Sequence, residues 1–205
     1  MKAELLRALS SRWTKLVVFC VSLLPLAWLV WGAATQGLGA NPAEALIRST
    51  GDWTLRFLCL ALAVTPLRVV VGLPPLAHLR RMTGLFVYFY AVLHLAAYSW
   101  LDMGFDLGGI TKDIGKRPFI LVGFTAFVVL SALAATSFDR AVRALGGRRW
   151  RNLHRIVYLV APLALLHFFW MRAGKNDFAE VVVYALVLAL LLGWRAMKYF
   201  NKKGL

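Results

Sequence analysis

The chain has 205 residues, of which 60% are hydrophobic, with mean hydropathy +0.69 and formal net charge +15. Soluble domains are roughly 45–50% apolar, so this composition excludes an ordinary water-soluble globule. It also leaves little chain outside lipid, too little to house a soluble nucleotide-binding domain.

Four basic residues, Lys2, Arg7, Arg12 and Lys15, precede a first apolar run at 16–34. That run is longer than a signal-peptide core, and Trp28 and Trp31 suit an interfacial anchor, so it is taken as a retained span. A second run, 53–71, contains Arg56, Cys59 and a Thr65-Pro66 pair expected to bend it. Cys20 and Cys59 fall within spans and read as buried, inert thiols. The loop GLPPLAHLRRMTG then carries His78, Arg80 and Arg81 into a third run, 84–101, which holds His94. A fourth run covers 118–136. The basic stretch RALGGRRWRNLHR leads into a fifth, 153–170, with His154 at its mouth, Pro162 midway and His167 beyond. A sixth covers 179–197. Each run approaches the ~20 residues that cross a bilayer, so the expected fold is all-α: an integral membrane bundle of six transmembrane helices forming one domain over 1–205. Gly84, Gly123 and Gly193 suit close helix packing, although no GxxxG repeat accompanies them.

Charge orients this bundle. Seventeen Lys and Arg residues fall on the side of the two termini and six on the other, with Arg56 inside a span. The positive-inside rule therefore puts both termini in the cytoplasm. Acids show the opposite bias, with only Glu4 and Asp139 on the terminal side. Membrane topology thus accounts for the positive charge, and nucleic-acid binding is not needed to explain it.

Three of the four histidines lie in or at the mouth of these spans. Intramembrane ionisable residues are functional candidates because hydrocarbon offers them no partner. The third span runs outward and carries His94 roughly 18 Å along its axis; the fifth, also outward, places His167 roughly 20 Å beyond His154. His94 and His167 therefore reach similar depth in the outer half, as two axial ligands of one haem must. His154 sits one level lower, suited to a second haem on the cytoplasmic side. The thirteen residues between His154 and His167 turn a straight helix by about 220°, so both rings face one neighbour only if the helix is interrupted. Pro162 is a natural place for that interruption. The blander reading gives each histidine a separate hydrogen bond to a backbone carbonyl.

No lower partner for His154 stands where one is expected. Counting back thirteen or fourteen residues from His94 reaches Arg81 and Arg80, which are not ordinary haem ligands. His78 is the remaining histidine, an alternative ligand or an exposed interfacial residue. Arg80 and Arg81 can pair with haem propionates or a flavin phosphate, or serve topology alone. Arg56 can snorkel near Trp53 or meet a propionate. The absence of acids from mid-span argues against a pump.

The segments LLPLAWLVWGA, GLGANPAEALIRSTGDW, VTPLR, RRMTGLFVYFYAVLHLAAY, GKRPFILVGFTAF and GRRWRNLHRIVYLVAPLALLHFFW carry a resemblance that runs essentially end to end. The chain resembles the MsrQ (YedZ) family, haem-binding membrane subunits of bacterial protein-methionine-sulfoxide reductase systems. That family is related to the ferric-reductase-like transmembrane domain also found in NADPH oxidases. The resemblance implies haem b, one or two groups, on His94, His154 and His167, with FMN also associated. The oxidases carry a second histidine near the place held here by Arg80 and Arg81.

By the same resemblance, electrons from quinol or a cytosolic flavin reductase cross the bacterial inner membrane to a periplasmic molybdopterin-containing catalytic subunit, MsrP. That partner reduces methionine sulfoxide in envelope proteins, a reversible lesion. The chain is expected to be an electron-transfer subunit rather than the catalytic one. The alternatives are a stand-alone ferric or quinone reductase, or a non-redox scaffold or transporter.

Overall fold

A computed structural model describes residues 2–174 and 176–203, and the described residues contain helices and turns but no strand. In chain order the helices are α1 (Lys2–Ser10), α2 (Arg12–Ala34), α3 (Pro42–Val71), α4 (Arg80–Ala97), α5 (Leu107–Lys116), α6 (Pro118–Ala135), α7 (Asp139–His154), α8 (Val157–Ala173) and α9 (Ala179–Lys203). A 3-10 turn, Pro74–Leu79, leads into α4, and a π turn, Tyr98–Asp102, follows it. Six helical stretches are long and apolar enough to cross a membrane. Large apolar side chains cover their outer faces: Trp28, Val70 and Leu190 are each more than 70% exposed. In water such a surface would aggregate; in lipid it is the solvated face. The chain is a multi-pass, all-α membrane protein.

Local chemistry sets the helix ends. Ser11 caps α2 by accepting the Thr14 N–H at 3.2 Å, and Asn41 caps α3 by accepting the Glu44 N–H at 3.1 Å. Pro42 and Pro118 open α3 and α6, where a missing N–H is harmless. Gly72 ends α3 in the left-handed region at φ 67°, which a side chain would disfavour. Helix α3 starts well before its apolar run because this Asn41 cap, not hydropathy, fixes its origin.

The chain forms two compact units, Met1–Phe105 and Asp106–Leu205. The first is organised by α3 and α4, which pack more extensively than any other helix pair. Their antiparallel register pairs Ile47 with His94, Trp53 with Tyr90 and Phe57 with Phe86. Between them stands an aromatic column: Phe57 stacks on Tyr90 at 5.2 Å and on Phe86 at 5.4 Å, while Phe89 meets Tyr90 edge-on at 5.2 Å. Phe19 of α2 joins through Phe86 at 5.5 Å. Tyr90 is fully buried and donates its hydroxyl to the Ser22 carbonyl of α2 at 2.7 Å, so its one polar atom is satisfied. Cys59 is half-buried, but Cys20 is exposed on the outer face of α2, contrary to the expectation that both thiols are enclosed. Helix α2 presents little of its surface to neighbours, which leaves that face outward.

The second unit is built on α6 and α8, with α9 against α8 and α5 against α6. Val160 and Ala161 are fully buried in it. Arg172 closes the connection between α8 and α9: it donates to Asp177 at 2.6 Å and to Glu180, and lies over the Phe168 ring. Helix α7 is broken at Gly146, whose φ of 72° and ψ of 148° suit only glycine. A turn at Arg155–Ile156 separates α7 from α8, so the interruption expected between His154 and His167 occurs there, with Pro162 carried inside α8.

Tyr90→Phe removes the hydroxyl bond to Ser22 while keeping the aromatic column. The expected outcome is a loss of about 1 kcal/mol, read as a lower thermal midpoint of the detergent-solubilised chain with helical circular dichroism intact. An unchanged midpoint would show that the bond adds nothing.

Candidate functional site

His94 lies one helical turn beyond Tyr90 on α4, so the buried, hydrogen-bonded tyrosine fixes the segment that carries it. Its Nδ1 is 2.8 Å from the Ile47 carbonyl oxygen of α3. His167 on α8 repeats the arrangement within the second unit, its Nδ1 2.7 Å from the Phe119 carbonyl oxygen of α6. A carbonyl only accepts, so in both rings Nδ1 is the donor, and in the neutral ring this puts the lone pair on Nε2. That is the tautomer in which imidazole binds a metal through Nε2 while its other nitrogen is oriented by the protein.

His154 differs. It ends α7, its Nε2 is 3.1 Å from the Thr136 hydroxyl at the end of α6, and its ring stacks on Trp150 with centroids 4.0 Å apart. Trp150 Nε1 donates to the Thr136 carbonyl at 2.8 Å, so tryptophan, threonine and histidine form one assembly. A hydroxyl can donate or accept, so the His154 tautomer is not fixed as in the other two. His154 and His167 thus both reach α6, at opposite ends of a helix whose contacts from Phe119 to Thr136 span roughly 25 Å.

The remaining candidates lie outside these clusters. His78 is exposed on the 3-10 turn, and Arg80 and Arg81, both exposed, stand at the start of α4. Arg56 lies over the Trp53 ring, 4.7 Å from its centroid, a cation–π contact.

This donor set fits one kind of metal in particular. Among the described residues no group of three or more His, Cys, Asp or Glu side chains is gathered to hold a bare ion. Iron in a porphyrin brings four nitrogens of its own and asks the protein only for axial ligands. Individually oriented imidazoles with Nε2 lone pairs meet that requirement.

Sequence reasoning missed the groups that hold these rings. Ile47 and Phe119 act through main-chain carbonyls, which no residue type reveals. Gly51 and Gly123 lie one turn beyond those carbonyls, against the same rings. Thr136 had no distinguishing signal; the Trp150–His154 contact did, since their i,i+4 spacing on α7 puts them on one face.

Residues 50–165 match the family model described as ferric reductase like transmembrane component. A protein-methionine-sulfoxide reductase heme-binding subunit MsrQ from Polaromonas naphthalenivorans is 64% identical over 188 residues, covering 92% of this chain and 86% of the relative. The protein of the same description from Bordetella pertussis is 52% identical, over 93% of this chain and 92% of its own. That from Xanthomonas oryzae pv. oryzae is 44% identical, over 92% and 88%. No solved structure gives a significant match. With agreement this extensive, the chain belongs to the ferric reductase like transmembrane component family and to the MsrQ family of heme-binding subunits.

Proposed function

We propose that this chain is the haem b subunit of a bacterial inner-membrane electron-transfer system, with both termini cytoplasmic. It takes electrons from quinol or a cytosolic flavin reductase and passes them to a periplasmic molybdopterin-containing partner, MsrP, that repairs methionine sulfoxide. The observation that carries this reading is the identical tethering of His94 and His167, Nδ1 to a helix carbonyl, in a chain so similar to heme-binding subunits. These two residues are the preferred axial ligands, at the similar depth given by span arithmetic.

Haem supplies a one-electron carrier inside hydrocarbon, where no amino-acid side chain offers one at a comparable potential. The protein's own work is to hold the imidazoles and exclude water. The Ile47 and Phe119 carbonyls orient His94 and His167, and the helices around them provide the apolar surroundings. His154 is assigned to a second, cytoplasmic-side centre. Ligation through its Nε2 requires the Thr136 hydroxyl to give way, so this centre is the more weakly prepared. Arg80 and Arg81 are suited to propionates or to the phosphate of FMN, and His78 is the alternative ligand on that side. FMN carries no step in this reading.

One other reading has a specific basis: the ferric-reductase description of the matching family model favours a stand-alone ferric or quinone reductase. Reconstitution with quinol, ferric iron and the sulfoxide-reducing partner separates them, because only the proposed role makes electron flow depend on the partner.

The purified chain is expected to give a bis-histidine, low-spin haem spectrum, quantified by pyridine haemochrome. His94→Ala or His167→Ala should abolish the low-spin signal of that pair, and His154→Ala should leave at least part of the total. Full haem retention in a His94→Ala, His167→Ala double variant overturns the ligand assignment. For topology, green fluorescent protein fused to the C-terminus should fluoresce and alkaline phosphatase fused there should be inactive; the reverse pattern overturns the orientation.

A further inference from the structure

Each unit contains the same three-part arrangement: a helix carbonyl, a glycine four residues later, and a histidine ring from the neighbouring helix lying against both. In the first unit the ring of His94 bonds the Ile47 carbonyl and covers Gly51, where an added Cβ would stand 3.1 Å from Cε1 and 3.2 Å from Nδ1. In the second, His167 bonds the Phe119 carbonyl and covers Gly123, where an added Cβ would stand 2.7 Å from Nδ1 and 2.8 Å from Cε1. The carbonyl at position i and the residue at i+4 lie one above the other on a helix surface. A side chain at i+4 therefore stands where a ring must lie to reach that carbonyl. Glycine removes it.

The other helical glycines suited by sequence to close packing behave differently. A Cβ at Gly84 or Gly193 meets nothing within 4 Å. Among these packing candidates, close approach to a histidine is thus specific to Gly123, and Gly51 shares it. At Gly123 the separation is below what real Cβ atoms tolerate, so a methyl there must push the ring away. Rotating the imidazole breaks the Nδ1 bond, because that nitrogen is among the nearest atoms.

We infer that Gly51 and Gly123 are positioning residues for the axial imidazoles: they let the rings of His94 and His167 lie flat on a helix and donate Nδ1–H to its carbonyl. This rests on the haem-ligand reading above and extends it to residues that have no ligating side chain. The consequence is electronic as well as steric. A donated Nδ1–H makes the imidazole a stronger base at Nε2, which stabilises ferric over ferrous iron and lowers the reduction potential. Losing the bond should raise it.

The test uses the full-length chain in detergent, with Gly51→Ala and Gly123→Ala beside the controls Gly84→Ala and Gly193→Ala. Gly123→Ala is expected to weaken haem retention roughly 10-fold or more, the usual effect of losing a ligand's orienting partner. Gly51→Ala, with the wider separation, is expected to keep haem but shift its low-spin paramagnetic resonance signal and raise its midpoint potential. Both controls should match wild type. Thermal midpoints guard against simple misfolding: Gly123→Ala should lower the midpoint of the wild-type chain but not of a His167→Ala chain, which has no ring to strike. An equal drop in both backgrounds assigns Gly123 to helix packing and overturns the inference. Wild-type haem content, spectrum and potential in both glycine variants also overturn it, leaving the haem reading intact. A wild-type chain with no haem overturns both.

Discussion

A polar ring in hydrocarbon must find its hydrogen-bond partner within the protein, and in this chain the partner is the backbone of the adjacent helix. Leaving such a group unsatisfied costs several kcal/mol, far more than the ~1 kcal/mol net worth of an ordinary hydrogen bond. A helix carbonyl has two lone pairs, so it can accept from an imidazole without giving up its own helical bond. His94 and His167 are both held this way. Among the described residues, no buried side-chain nitrogen or oxygen lacks a partner.

That bond requires closely and reproducibly packed helices, and each unit supplies them by its own means. In the first, an aromatic column spans the α3–α4 seam, and Tyr90, one turn from His94, is pinned to α2 through Ser22. Lipid tails are as apolar as these rings, so the column holds the pair by van der Waals contact rather than by escape from water. In the second, α6 receives a histidine at each end, one on a carbonyl and one on a hydroxyl. Helix α8 packs on α6, and its Val160 and Ala161 are both fully buried.

The six spans are legible in the sequence because apolar runs of about 20 residues seldom occur outside a bilayer. The histidines are legible because each interrupts or borders such a run. The boundaries are less so: α3 begins at the Asn41 cap, among polar residues with no hydropathy signal. Helix phase calls for an interruption between His154 and His167 only if both rings face one neighbour; Pro162 is its expected place, but the helix breaks at Arg155–Ile156, where no proline marks it. Cys20 faces outward although its run is apolar, since hydropathy alone cannot separate a lipid-facing position from an internal one. Glycine shows the limit most sharply. Gly84, Gly123 and Gly193 are equivalent as sequence, but only Gly123 of the three meets a neighbour, and that neighbour is a ring forty-four positions away. Gly51 carries no sequence signal at all. Such a contact is a tertiary fact, and no internal repeat in the sequence announces that it occurs twice.

A structural bond to a carbonyl and ligation of iron look like competing roles for these histidines. The geometry makes them compatible. The carbonyl engages Nδ1, and ligation uses Nε2, so the bond that makes the ring tolerable in the membrane also selects the tautomer that binds metal. A histidine kept only for structure would be served equally by either nitrogen. His154 is the internal contrast, since its Nε2 meets a hydroxyl, a partner of either polarity. Two rings prepared alike and one prepared differently is the pattern expected if the two share a task that the third performs under other constraints.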